Sequence, residues 1–160
     1  MVSGFAFVFV NPPSQVMQTS ERQISGLDHI RLMSLLQDDL EKSVVPPRSL
    51  HRLYLLLNSV QRCRPEDIRE DTVTMNSDIM IRHSRSGQKE IIRIIYPADC
   101  SSTDNLDDKV RYLEIYDPTA MGILGRKVNE ICRVSGDGGE EPVVIEKVLF
   151  QPEAHRLYNL

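Results

Sequence analysis

The apolar residues of this chain change their spacing at Pro65, and that change limits the possible folds more than any other feature. Before Pro65 they recur every three to four residues, which is the period of an amphipathic helix. Beyond it, β-branched runs alternate with polar residues or are nearly continuous, as in strands. The pattern predicts an α+β protein in which helices precede a mainly antiparallel sheet that carries one short helix.

The helical part divides into two helices joined by a short connection. Ser25 and Asp28 can cap the start of the first helix, whose apolar residues lie between positions 27 and 40. Pro46 cannot lie inside a helix, whereas Pro47 can occupy the first position of a second one. The second helix has a clearer apolar stripe, formed by Leu50, Leu53, Tyr54, Leu56, Leu57 and Val60. A short antiparallel helical hairpin is therefore predicted within residues 21–64, and packing on its own domain is the simplest role for it.

The remainder of the chain, residues 65–160, is predicted to be a second domain. Its strand candidates are residues 72–81, 90–96, 110–116, 128–134 and 143–150, with a hairpin turn at 135–140 and a polar loop at 98–108. A short helix interrupts this series, because Asp117 can cap it, Pro118 can start it and Gly125 can end it. Residues 1–20 are poorly patterned and are predicted to be a weakly ordered tail.

The charge of the chain is unevenly distributed. The net charge is −4, yet residues 1–65 carry seven Lys/Arg against five Asp/Glu, and residues 66–160 carry twelve against eighteen. A nucleic-acid-binding protein usually has a basic stripe that neutralises phosphates, so direct, sequence-specific nucleic-acid binding is disfavoured. An acidic domain suits a basic protein surface, although most acidic surfaces are simply solvated.

The cysteines and the longest apolar run indicate a cytoplasmic protein with no membrane segment. Cys63, Cys100 and Cys132 are widely spaced and form neither a disulfide framework nor a zinc motif. The apolar run at residues 5–10 is too short to span a bilayer, and no basic segment precedes it.

The chain contains no motif of a known catalytic or cofactor site. Phosphate-binding glycine loops and nucleophile motifs are absent, and the four histidines lie in separate segments as expected of solvated residues. No enzyme activity, cofactor or metal is predicted. Asp38, Asp39 and Glu41 cluster before the hairpin turn, where carboxylates could hold Mg²⁺ or could form a solvated helix end. The solvated end is preferred, although the helix dipole disfavours negative charge there.

Several segments occur together, in order and at fitting spacing. They are Pro65–Ile68 (PEDI), Asp71–Ser77 (DTVTMNS), Tyr96–Ala98 (YPA), Asp117–Gly125 (DPTAMGILG) and Phe150–Ala154 (FQPEA). Together they resemble the family called regulator of nucleoside diphosphate kinase, which is related to the Gre transcript-cleavage factors. The resemblance covers about 95 residues, with VTMNS and QPEA as its specific elements. Thr119 and Ile123 depart from the family pattern.

This resemblance implies an FKBP-like second domain that docks on RNA polymerase at the rim of its secondary channel. The implied contact residues are Asp117, Pro118, Thr119, Met121, Gly122, Leu124 and Gly125. Asp117 and Pro118 would start the contact loop, whereas Met121, Ile123 and Leu124 would partly anchor the short helix. Core packing is the alternative role for these three apolar residues.

The hairpin length determines which kind of Gre relative is implied. Cleavage factors carry a long coiled coil whose tip acids help hold a catalytic metal, whereas residues 27–42 extend only ~24 Å at about 1.5 Å per residue. The expected protein is therefore a monomeric, non-enzymatic regulator that occupies the channel without transcript cleavage. Two alternatives stay open: a cleavage-stimulating factor and, from the implied fold alone, a peptidyl-prolyl isomerase.

Overall fold

The computed structural model describes residues 21–98, 107–136 and 138–160. The tail predicted at residues 1–20, most of the polar loop at 98–108 and Cys100 lie outside these ranges. Within them the chain forms two helices, then a five-stranded sheet with one short helix. The predicted α+β class with a mainly antiparallel sheet is confirmed, whereas the FKBP-like details and the domain division at residue 65 stay predictions.

The hairpin consists of α1 (Gly26–Lys42) and α2 (Pro47–Ser59). Ser25 caps α1, because its hydroxyl oxygen accepts the Asp28 N–H at 3.1 Å. Ser43 ends the helix in the left-handed conformation, with φ 55°. Pro47 lies at the start of α2, where its missing N–H leaves no helical hydrogen bond unmade. The two predicted helix starts and the Ser25 cap are thus confirmed, whereas the Asp28 carboxylate, which was also expected to cap α1, accepts the Tyr96 hydroxyl instead.

Two three-residue strands that the sequence did not predict flank the hairpin. β1 (Gln23–Ser25) and β2 (Gln61–Cys63) pair in parallel, so the chain enters and leaves the hairpin side by side. The Gln23 side chain also donates to that of Gln61 at 2.8 Å. Such short polar strands have too few residues to show a period of two, which is why the pattern missed them.

The larger sheet contains β3 (Asp78–His83), β4 (Lys89–Ile95), β5 (Val110–Glu114), β6 (Ile131–Gly136) and β7 (Gly139–Phe150), and α3 (Pro118–Ile123) lies between β5 and β6. The strand order is β5-β4-β3-β7-β6. β4 and β5 pair in parallel and all the other neighbours are antiparallel. A turn joins β6 to β7 as predicted, but it is shorter than the predicted 135–140, because Ser135 and Gly136 pair with Glu140 and Gly139 as strand residues.

Residues 72–75, predicted to lead into a strand, do not form one. Thr72 makes a single bridge with Lys127, and Asn76 has a positive φ of 59°. Thr74 and Ser77 are both buried, and their hydroxyls are 2.7 Å apart. Side chains of this type satisfy a local turn and so compete with strand pairing. The segment is a buried turn.

Several strand boundaries also differ from the prediction, most of all the start of β7, which is Gly139 instead of 143. β5 ends at Glu114 instead of 116, because residues 115 and 116 form the turn that leads to α3. β6 begins at Ile131 instead of 128. Asn129 adopts a left-handed φ of 70°, which is incompatible with strand geometry.

The buried apolar residues of the hairpin and the sheet form one continuous core. Leu32, Leu53 and Leu57 of the hairpin belong to the same cluster as Ile92 and Ile115 of the sheet domain. The hairpin therefore packs on the domain. Tyr54, predicted within the apolar stripe of α2, is instead half exposed. None of the described helices is long and apolar enough to cross a bilayer.

Candidate protein-docking surface

The start of α3 presents a capped and accessible helix end. The Asp117 carboxylate accepts the Thr119 N–H at 2.7 Å, and Pro118 occupies the first helical position. Pro118 is exposed and Asp117 is partly exposed. The predicted cap is therefore confirmed, and the same two residues form the part of α3 that a partner can reach.

Most other residues of the predicted contact segment lie in the core. Thr119, Met121, Ile123 and Leu124 are buried, and Gly125 is buried beside β1. Core packing, the alternative weighed for the apolar residues, accounts for their positions. Among the seven predicted contact residues, Pro118, Asp117 and Gly122 are the ones with an accessible surface.

Arg22 binds the C-terminal turn of α3. Its guanidinium donates to the carbonyl oxygens of Met121 at 2.7 Å and of Gly122 at 3.1 Å. These carbonyls lie at a helix end, where intrahelical partners run out. Burial, followed by the nearby Arg126 charge, lowers the pKa of Arg22. Arg22 thus fixes α3 against the strand that leads into the hairpin.

Two glycines permit the close packing of α3. A Cβ on Gly122 would lie 3.1 Å from the Arg133 carbonyl oxygen of β6. Gly125 has a φ of +76°, and a Cβ there would lie 3.0 Å from the Gln23 carbonyl oxygen of β1. Both positions therefore favour a residue without a side chain.

A groove of about 580 Å³ runs between α2, α3 and β6. Pro118 and Gly122 lie on one side of it, and Leu55 of α2 lies on another. Three arginines line it (Arg22, Arg52 and Arg133), and Glu140 is the acidic residue among its lining residues. The accessible part of α3 thus faces a locally basic groove on a net acidic domain.

The acids near the hairpin turn differ in their surroundings. Asp39 accepts a hydrogen bond from the Tyr116 hydroxyl at 2.6 Å. Burial, followed by the hydrogen bond and the charge of Asp39, raises the pKa of Tyr116. Asp38 and Glu41 are exposed. The described residues contain no group of three or more His, Cys, Asp or Glu placed to hold a metal ion.

The base of α1 is also fixed to the domain. Tyr96 donates its hydroxyl hydrogen to the buried Asp28 carboxylate at 2.8 Å. Arg31 donates to the carbonyl oxygens of Tyr158 and Leu160, at 2.9 and 2.8 Å. Asp28 and Asp39 are eleven residues apart, so α1 is held at two points separated by ~16 Å.

The roles of Arg22, Arg52 and Tyr116 were not predicted from the sequence. Arg22 contacts residues about a hundred positions away, which no local pattern can indicate. Tyr116 was predicted only as the last residue of a strand. The sequence did indicate a basic surface around Arg52, because residues 43–65 carry four arginines and no acidic residue.

His83 and His29 both have specific partners, and Cys132 is buried. His83 lies between Glu90 at 2.8 Å and Glu141 at 3.2 Å, so this histidine is paired and not merely solvated as expected. His29 bonds the Leu57 carbonyl oxygen at 3.0 Å. Burial raises the pKa of the Cys132 thiol to about 11, which disfavours the reactive thiolate at neutral pH.

Comparison with known proteins agrees with the motif resemblance. No family model matches the chain. Over 105 residues it is 29% identical to the regulator of nucleoside diphosphate kinase of Escherichia coli K12, covering 65% of this chain and 73% of the relative. The protein of the same name from Shigella flexneri gives the same values.

A solved structure provides the comparison of fold. The prokaryotic transcription elongation factor GreA/GreB from Nitrosomonas europaea aligns with a TM-score of 0.62 and 24% identity. The alignment covers 82% of this chain and 99% of that factor. The resemblance indicated by the motifs is thus confirmed: this chain is similar in sequence to the regulators of nucleoside diphosphate kinase and has the fold of a GreA/GreB factor.

Proposed function

We propose that this protein is a non-enzymatic transcription regulator that binds RNA polymerase. It docks at the rim of the secondary channel and competes there with other channel factors, without stimulating transcript cleavage. The accessible Asp117–Pro118 start of α3, on a fold shared with a GreA/GreB elongation factor, carries the proposal. The confirmed motif resemblance supports the same partner.

The hairpin supports occupancy of the channel without cleavage. Its first helix has 17 residues, which is ~26 Å at about 1.5 Å per residue. Asp39 is bound to Tyr116, so the acids near the turn stay beside the sheet domain. A metal ion would have to compete with the Tyr116 hydroxyl for the Asp39 carboxylate.

A competition experiment tests the proposal. Core RNA polymerase carrying a labelled Gre factor is titrated with this protein, and stalled, backtracked complexes are assayed in parallel for transcript cleavage. Displacement of the label without added cleavage is the expected result. Failure to bind polymerase would refute the proposal, and cleavage that is lost on Asp38→Ala/Asp39→Ala substitution would instead favour the cleavage-factor alternative.

The residues of the docking surface require variants that keep the helix cap. Asp117→Ala would remove the 2.7 Å bond to the Thr119 N–H and so disturb α3 itself. Asp117→Ser retains a capping oxygen and removes only the charge. This variant and Pro118→Ala are expected to weaken displacement. Asp108→Ser, which changes another exposed aspartate, serves as the matched control.

A further inference from the structure

The groove beside α3 has a charge opposite to that of its domain. Residues 66–160 carry six more acidic than basic residues, yet three arginines and one glutamate line the groove. α2 contributes to this difference, because Pro47–Ser59 contains two arginines and no acidic residue. The groove is therefore a basic site, although the net charge of the chain is negative.

Two of the arginines are available to a partner. The Arg52 side chain is exposed and has no hydrogen bond or ion pair among the described residues. Arg133 is 82% exposed, and its contact with Glu140 is 3.9 Å long. Exposed pairs of this kind contribute little stability, so exchanging Glu140 for another carboxylate costs little. Arg22 donates to α3 carbonyls and adds charge to the groove without being free itself.

Apolar surface lies between these charges. Leu55 is 53% exposed and lines the groove with Arg52, which lies three residues before it on the same side of α2. Pro118 contributes a second exposed apolar surface from the start of α3. An apolar centre with arginines around it is typical of a protein-binding site.

From this arrangement we infer that the groove binds an acidic protein segment whose apolar side chain packs between Leu55 and Pro118, while its carboxylates pair with Arg52 and Arg133. The inference rests on the proposed function, because it identifies the chemistry of the polymerase segment that enters the groove. Asp117 does not line the groove, so it would contact polymerase outside this segment. Carboxylates complement guanidinium groups geometrically as well as electrostatically.

Binding of the acidic segment also requires the hairpin to be packed on the sheet domain. Arg52 and Leu55 belong to α2, whereas Pro118 and Arg133 belong to the sheet domain. The site is therefore complete only when the hairpin packs on the domain as observed. Docking on polymerase would stabilise this packed arrangement, since a ligand favours the state that it binds.

Photo-crosslinking identifies the occupant directly. The full chain with a benzophenone side chain at position 55 is bound to core RNA polymerase and to complete elongation complexes, then irradiated. Mass spectrometry of the crosslinked peptide is expected to reveal a polymerase segment with net negative charge. A neutral or basic segment, or a crosslink to RNA or DNA, would overturn the inference and leave polymerase binding itself intact. Absence of any polymerase binding would refute the proposed function as well.

Charge reversal provides the quantitative test. Arg52→Glu/Arg133→Glu is expected to weaken polymerase binding by about tenfold or more and to make the remaining binding less sensitive to salt. Arg48→Glu is the matched control, because Arg48 is exposed on α2 one turn away and does not line the groove. An equal loss in the control would overturn the inference, since it would show a general charge effect.

Discussion

Tyr116 donates its phenolic hydrogen to the Asp39 carboxylate across a distance of 2.6 Å. Tyr116 directly precedes Asp117, the cap of α3, and Asp39 lies in the last full turn of α1. The bond therefore joins the distal part of the hairpin to the proposed docking surface. Because the two are joined, a change in hairpin position would be transmitted to the start of α3.

Removing the Tyr116 hydroxyl should destabilise the protein. Tyr116→Phe deletes the bond to Asp39 and keeps the ring, so the free energy of unfolding should fall by about 1 kcal/mol. Chemical denaturation measures this change. The control is Tyr112→Phe, because the Tyr112 hydroxyl has no hydrogen bond among the described residues and its ring contacts Arg93 through the face. Equal effects of the two variants would contradict a specific role for the Tyr116 bond.

Gly125 should tolerate alanine less well than Gly87 does. Both glycines have positive φ, at +76° and +73°, so both substitutions impose the same backbone strain. A Cβ at position 125 would also lie 3.0 Å from the Gln23 carbonyl oxygen, whereas nothing lies within 4 Å of one at position 87. Gly125→Ala should therefore lower the free energy of unfolding by at least ~1 kcal/mol more than Gly87→Ala.

Thermal or urea unfolding of the two variants side by side separates strain from crowding. Similar losses would show that the contact between the end of α3 and β1 is loose. The hydrogen bonds from Arg22 would then have to hold α3 without tight packing of Gly125 on β1.

Local chemistry in the sequence was sufficient to predict the three α-helices and the succession of the larger strands along the chain, but not their order within the sheet. Ser25 and Pro47 marked the helix starts because a cap and an N-terminal proline act within one turn. The start of α3 was predictable for the same reason, from Asp117 and Pro118. These features depend on residues that are close in sequence.

Features that depend on distant residues were not predictable. The bond from Tyr116 to Asp39 and the bonds from Arg22 to α3 connect positions 77 to 100 residues apart. The groove formed by α2, α3 and β6 likewise exists only after the hairpin packs on the domain. Thr74 was predicted to lead into a strand, but a local bond to Ser77 and a distant bond to Glu153 hold it in a turn.

His83 should make stability depend on pH as the pH rises above 6.5. The hydrogen bond to Glu90 raises the pKa of His83 above its usual 6.5. Burial opposes this shift, and the hydrogen bond to Glu141 adds to it. The protonated form is favoured in the folded state, so its stabilisation is complete below pH 6.5 and is lost as pH rises through the folded pKa. His83→Gln should reduce the free energy of unfolding near pH 6 by up to about 1 kcal/mol and have less effect near pH 9.

The pH series needs a histidine control. His51 is exposed on α2, and His51→Gln should leave the difference between pH 6 and pH 9 unchanged. If the wild-type profile were retained in His83→Gln, the carboxylates around His83 would not be the source of the pH dependence.

Glu153 should also make the protein less stable as the pH rises, but in a more acidic range than His83. Burial raises its pKa above 4.5, although the Thr74 hydroxyl, 2.7 Å from its carboxylate, opposes that shift. The folded state therefore favours the protonated acid, and stability falls as pH rises from about 4.5 through the folded pKa. Glu153→Gln keeps an acceptor for Thr74 without the charge, so its free energy of unfolding should decline less over this range. Urea denaturation between pH 4 and pH 8, with the exposed Glu140→Gln as control, measures the difference. A wild-type profile parallel to that of Glu153→Gln would show that the buried carboxylate does not destabilise the fold at neutral pH.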